Sequence, residues 1–267
     1  MCNSFRLFLI FLAGISSGCG DQPKVIDPRG EIALDAPVID GIVNASDSAV
    51  FVQISRIKPF NEVIPLNPDR ITDAIVSVSV NDGEQIPLVY ESPYYRAKTN
   101  FPSGSIVRLT VKIAGDTYAA ETLVPHLVQN INYKSLEGQS FRLSWDSDPS
   151  KKAFYEVQFA PETGLAYNVG DGGEPFFAAQ SARVDLVGEY YRASQPVPGA
   201  ENRILLHIHS LDANLYNYQK EGLRNGIYGS SPINTASPYS NFKGTIGVFG
   251  AYITTKFEVS EEPRFIR

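Results

Sequence analysis

The chain has 267 residues, 43% of them hydrophobic, and a formal net charge of −6. The hydrophobic fraction is sufficient for real cores, and the length suits two small domains. The acidic balance excludes a nucleic-acid binder, which needs a basic footprint.

The chain opens MCNSFRLFLIFLAGISSGC. Arg6 supplies a positive first region, Leu7 to Ile15 form an apolar run, and the small residues Ser16, Ser17 and Gly18 precede a cleavage point. The apolar run spans about nine residues, whereas a membrane-spanning helix needs roughly 20. Residues 1–18 therefore read as a secretory signal, and no later stretch is long and apolar enough to cross a bilayer. Cys2 leaves with the signal, so the exported body keeps one thiol, Cys19, at its extreme amino terminus. An internal disulfide is then impossible, even in an oxidising compartment. Loss of Arg6 makes the body one charge more acidic.

Small residues followed by Cys resemble the lipobox of bacterial lipoproteins. That resemblance implies that the Cys19 thiol takes a diacylglycerol and that the new amino terminus is acylated, with chains such as palmitate. Each buried CH₂ contributes about 0.8 kcal/mol to such an anchor. Ser16 departs from the pattern, which prefers an aliphatic residue there. The alternative is ordinary cleavage nearby, leaving a soluble periplasmic protein. Residues 19–37 are polar, contain Pro23, Pro28 and Pro37, and read as a lipidated tether lifting the body off the membrane. Asp21 resembles the surface-export signal of Bacteroidetes lipoproteins, but one acid does not decide which face of the membrane holds the protein.

Residues 38–125 alternate with the period of strands. In IVRLTVKI, Val107, Leu109, Val111 and Ile113 fall on one face, and in AIVSVSV so do Val76, Val78 and Val80. Asp82-Gly83 and Gly115-Asp116 are the turn signals, because a tight hairpin needs positive φ. With VIDGIVN and AVFVQIS there are about seven strands, the pattern of an immunoglobulin-like or transthyretin-like sandwich. Pro125 and His126 mark a boundary. Residues 126–267 start a second antiparallel sandwich in which Phe141, Leu143 and Trp145 share a face, followed by Tyr155, Val157 and Phe159. A Trp strand followed by a Tyr-x-Val strand resembles the opening of a fibronectin type III module. One helix is expected near residues 211–224, capped by Asp212 or Ser210 and ended by Gly226, with Tyr216 and Tyr218 packing on the sandwich. The closing strand GTIGVFGAYITTKFEV is rich in Gly, which predicts a bulge or a close backbone approach.

Residues 161–203 break the regularity and carry Tyr167, Phe176, Phe177, Tyr190 and Tyr191. Exposed, these rings would suit stacking on sugars or anchoring a partner; otherwise they cover the core. His207 and His209 lie two apart on a strand and share a face, so they would bind a transition metal if another ligand came near. The simpler assignment has Ile204, Leu206 and Ile208 in the core and both His exposed or hydrogen-bonded. Asp146 and Asp148 near a strand end would suit paired carboxylates for glycoside hydrolysis, and otherwise are acids of a solvated turn; GDGGE at 170–174 is a turn or a calcium loop. No nucleophile motif or Cys-based zinc site is readable. The chain reads as a non-enzyme without a cofactor.

The carboxyl half carries a family likeness. SLDANLYNYQ followed by SPINTASPYSNFKGTIGVFGAY resembles the closing signature of Bacteroidetes lipoproteins called domain of unknown function 4249. VIDGIVN with VFVQISR, the hairpin around Asp82-Gly83, and TYAAETLVP extend the resemblance over most of the exported chain. Asn241-Phe242-Lys243-Gly244 departs from the usual Asn-Ile-Gly-Gly form. The resemblance implies an outer-membrane lipoprotein that acts as an accessory to a TonB-dependent receptor in nutrient uptake. It carries over no catalytic residue. It also points to O-glycosylation at Asp47-Ser48-Ala49, with Ser48 as acceptor. A surface adhesion or glycan-binding module is the alternative. The ligand is not readable.

Overall fold

The computed structural model describes residues 37–56, 70–136, 140–161, 167–169, 176–189, 204–224 and 239–259. The chain divides into two units, Met1–Gly30 and Glu31–Arg267, and every described residue belongs to the second. The signal segment and Cys19 lie outside the described residues.

The fold is mainly β. Eight strands come from the amino half: β1 (Pro37–Asn44), β2 (Ala49–Arg56), β3 (Ile75–Val80), β4 (Ile86–Pro87), β5 (Val89–Glu91), β6 (Tyr94–Lys98), β7 (Ile106–Ile113) and β8 (Asp116–Leu123). The carboxyl half adds β9 (Gln129–Ser135), β10 (Ser140–Asp146), β11 (Ala153–Pro161), β12 (Tyr167–Val169), β13 (Phe176–Ala179), β14 (Arg183–Glu189), β15 (Ile204–Leu211), helix α1 (Ala213–Arg224) and β16 (Ile246–Val259). Among the described residues they form three sheets. A nine-stranded sheet runs β12-β11-β15-β16-β1-β2-β6-β5, with β13 also paired to β11. A four-stranded sheet, β4-β3-β7-β8, and a three-stranded sheet, β14-β10-β9, complete the fold.

The alternation read from the sequence is what closes the two cores. Val76, Val78, Val107, Leu109 and Val111 bury against Ile39, Val43, Val50, Val52 and Phe249. Phe141, Leu143 and Trp145 bury against Tyr155, Val157, Leu206 and Ile208, with the Trp145 and Tyr155 rings edge to face at 5.1 Å. Each such side chain contributes about 1.5–3 kcal/mol on burial. Phe249 and Ala251 of β16 enter the first core, and Phe257 of the same strand packs on the second. Alternate residues of a strand point to one side, so both small sheets lie on the same face of the large one. β16 is a wall common to both cores.

That sharing depends on a pairing the alternation does not reveal. β16 runs parallel to β1, from Val38↔Ile246 to Asn44↔Tyr252, while its second half pairs antiparallel with β15. The glycines serve the close approach expected of them. A Cβ on Gly247, at φ 138°, would stand 1.9 Å from the Ile39 carbonyl oxygen, and one on Gly250 would meet Leu215 of α1 at 2.7 Å.

Both hairpin turns sit one residue earlier than the sequence signals. Positive φ falls on Asn81 and Asp82 (51° and 57°) and on Ala114 and Gly115 (49° and 99°). A two-residue turn of this type needs positive φ at both central positions, and Asn and Asp tolerate it. Asp116 is instead the first ladder residue, opposite Ile113. The Asn81 carboxamide also accepts the Ile106 N–H at 2.9 Å, which fixes that turn to β7.

Candidate functional site

The free half-edge of β16 determines how the middle of the molecule is closed. β15 ends opposite Tyr252, so among the described residues Phe249 and Ala251 have a strand on one side only. Two side chains stand in for the missing strand. The Asn241 carboxamide accepts the Phe249 N–H and donates to the Phe249 carbonyl, both at 2.9 Å, and donates to the Glu121 carbonyl of β8 at 3.2 Å. Asp212 donates its own N–H to the Ala251 carbonyl at 2.9 Å and accepts the Ala251 N–H on Oδ1 at 3.1 Å. The same carboxylate caps α1, accepting the N–H groups of Asn214 and Leu215 at 3.2 and 2.9 Å. Burial pushes the Asp212 carboxyl above the usual range, opposed by the hydrogen bonds it accepts from the Leu215 and Ala251 backbone. Asn241, which lies within the closing signature, is therefore architectural.

Beside this junction opens a cleft of about 820 Å³. Its walls are the end of β8, the connection Pro125–Gln129 and the loop from β10 to β11, and Tyr155, Ser210 and Asp212 lie at its base. Pro125 ends β8 because it has no N–H to continue the ladder. The β10–β11 loop is held by Asp148, whose Oδ1 accepts the Ser150 N–H at 2.9 Å and its hydroxyl at 2.6 Å. Those bonds hold the Asp148 carboxyl below its usual range. Three aliphatic side chains on the rim stay about half exposed: Ile106 (48%), Leu123 (52%) and Leu127 (47%). At the base the Tyr155 hydroxyl pairs with Ser147 at 2.9 Å, while the buried Ser210 hydroxyl has no partner among the described residues. Leucines at half exposure around a concave surface are the feature most suited to contact with another molecule. No single sequence motif marks this cleft, because its lining comes from four separate segments.

The residues singled out in the sequence fall elsewhere. His207 and His209 share a face as expected, with rings 6.0 Å apart. His209 Nδ1 bonds to the Thr254 hydroxyl at 2.8 Å, and burial, reinforced by His207, brings its pKa down to about 4. His207 is also lowered, by burial and then by the neighbouring Lys256 ammonium. Among the described residues no third His, Cys, Asp or Glu converges with them as a metal-binding group. Asp146 and Asp148 are engaged separately: Asp146 accepts from Asn130 at 2.5 Å and Arg183 at 3.3 Å, while Asp148 holds its loop.

Phe176 and Phe177 are packing residues rather than exposed platforms. Phe176 is buried with Leu211, Leu215 and Tyr216, and Phe177 lies 6.1 Å from Trp145 and 5.7 Å from Tyr155. Tyr167 pairs with Phe159 through β12. Tyr190 and Tyr191 lie outside the described residues. On α1, Tyr216 stacks on Phe154 at 4.5 Å and the Tyr218 hydroxyl donates to Asp40 at 3.3 Å, so both pack as expected. Ser48 sits in the turn from β1 to β2 at φ 51°, half-buried, its carbonyl accepting the Thr99 N–H.

The family model described as "Domain of unknown function (DUF4249)" matches residues 30–258. None of the curated proteins matches the chain. Among solved structures, a cytokine receptor complex aligns at 8% identity and a TM-score of 0.27, over 67% of this chain and 92% of that one. A segment of two fibronectin type III domains from chicken tenascin aligns at 9% identity and a TM-score of 0.23, over 84% of this chain and 100% of that one.

Proposed function

The chain belongs to the family of the domain of unknown function DUF4249, and from that premise we propose that it is an exported, lipid-anchored binding protein. In this reading it is an outer-membrane accessory to a TonB-dependent receptor in nutrient uptake. The observation that carries the anchor is the arrangement of its first residues. A short apolar run and three small residues precede Cys19, the one thiol left after processing, and a Pro-containing tether follows. The cleft between the two cores, with its aliphatic rim, supports a role in holding a partner rather than in chemistry.

A Cys19→Ser substitution tests the anchor: the protein should leave the membrane fraction and lose labelling by a fatty-acid analogue. Unchanged partitioning would overturn it. Deleting the gene tests the accessory role, which requires slower growth on at least one scarce nutrient.

A second reading, a surface adhesion or glycan-binding module, draws on a different feature. On the face of the large sheet opposite the cores, Phe51 and Tyr94 meet edge to face at 6.0 Å, flanked by Ile42 and Val89, which are 36% and 63% exposed. Such aromatic pairs suit sugar stacking or protein contact. Normal growth of the deletion strain on every nutrient, together with lost attachment to a surface, would favour this reading.

A further inference from the structure

The cleft borders a strand edge. β7 and β8 are joined by a two-residue turn, so Ile113 and Asp116 exchange backbone hydrogen bonds, and every second pair thereafter does the same. Val107 with Thr122 is the last such pair in the ladder. Two further bonds agree with this count. The Val124 N–H goes back across the β7 side to the Ser105 carbonyl at 2.9 Å, whereas the Glu121 carbonyl points away and is taken by Asn214 and Asn241. The N–H and C=O of Leu123 therefore point away from β7, into the cleft, and neither has a partner among the described residues.

We infer that the cleft is a docking groove for an extended aliphatic peptide segment, which pairs its backbone with Leu123 and lays side chains against Ile106, Leu123 and Leu127. This deepens the binding-protein reading and rests on it. Two features give the occupant its chemistry. A donor and an acceptor on one strand residue, neither with a partner among the described residues, are complementary to the backbone of another strand, the basis of recognition by strand addition. The half-exposed aliphatic rim favours Val-, Ile- or Leu-like side chains over sugar hydroxyls.

The site also limits how far such pairing extends. Toward the amino end of β8, the carboxamides of Asn214 and Asn241 occupy the next outward carbonyl, that of Glu121. Toward the carboxyl end, Pro125 offers no N–H. Pairing is confined to one residue, so side-chain contacts and not a long ladder supply most of the affinity. Asp148, Lys151 and Lys152 on the wall carry mixed charge, so binding depends only weakly on salt.

The test uses the exported chain in solution and a fluorescein-labelled peptide of about six alternating valine and threonine residues, roughly 20 Å long when extended. Anisotropy should show saturable binding. Leu127→Asp, an exposed position whose change leaves the Trp145 core intact, should weaken binding about tenfold or more. Methylating the central backbone amides of the peptide should weaken it several-fold, because the Leu123 carbonyl then loses its donor. Equal binding of the methylated peptide, or undiminished binding by a Leu127→Asp variant with wild-type Trp145 fluorescence, would overturn the proposal. So would saturable binding of chitotriose with none of the peptide, an outcome that leaves the wider binding-protein reading standing.

Discussion

Replacing Asn241 with Ala removes three hydrogen bonds at once: two to the Phe249 backbone at 2.9 Å and one to the Glu121 carbonyl at 3.2 Å. Phe249 is fully buried in the first core. Its N–H and C=O would lose their partner beside that core, where a stranded polar group costs about 1–3 kcal/mol and an ordinary bond contributes roughly 1 kcal/mol net. Counting two stranded groups and one exposed bond, Asn241→Ala should cost about 3–7 kcal/mol, a fall in Tm of about 6–28 °C. Asn241→Asp sharpens the test. A carboxylate still accepts the Phe249 N–H but sets an oxygen against two carbonyls, so at pH 7 it should be at least as damaging as Ala. It should recover partly in acid, where the protonated group donates again. Urea unfolding followed by far-UV circular dichroism measures the change. Trp145, the only tryptophan, reports separately on the second core. Stability of both variants within about 0.5 kcal/mol of wild type would refute the role assigned to this clamp.

Two buried titratable groups should act in opposite directions. Asp212 has its pKa raised in the folded state, so the folded chain holds a proton the unfolded chain has released, and this contribution to stability is lost as pH rises through the acidic range. A carboxamide in its place would not titrate. The stability of Asp212→Asn relative to wild type should therefore grow as pH rises above the ordinary carboxylate value of about 4, and a constant difference in urea unfolding would contradict the assignment. His209 is held down at about 4. Its contribution is complete above its ordinary value near 6.5 and is lost as pH falls towards 4, worth up to about 3 kcal/mol. An NMR titration of its ring should give a midpoint near 4, and a midpoint above about 6 would show that the ring is not buried as described. Gly247→Ala would force a Cβ to 1.9 Å from the Ile39 carbonyl oxygen. That variant should fail to accumulate as folded protein, and a wild-type Tm would be inconsistent with the parallel pairing of β1 and β16.

Strands and cores were legible because a half-buried strand writes its burial directly into period-two alternation: Val107, Leu109 and Val111 in one core, Phe141, Leu143 and Trp145 in the other. The same alternation carries no information about which strand lies alongside, so the parallel partnership of β1 with β16, far apart in the chain, could not be read from it. The turns were legible to within one residue, since Asn81 tolerates positive φ nearly as well as Gly83 would. Asn241 lies within the closing signature, but its role as the clamp on a strand edge is not readable there, because that role depends on where β15 stops. The cleft was invisible for a related reason: Ile106, Leu123 and Leu127 read as ordinary strand and linker residues until the β10–β11 loop is set opposite them. Phe176 and Phe177 stood out through aromatic density alone, which does not distinguish a ring over a core from a ring facing solvent.

The central claim is that the anchored chain works with a receptor in the outer membrane. Its most direct test is affinity purification of the full lipidated chain from detergent-solubilised outer membranes, with proteins identified by mass spectrometry. The account predicts recovery of a TonB-dependent receptor in near-stoichiometric amount, lost from the Cys19→Ser protein. Recovery of this chain alone would contradict it.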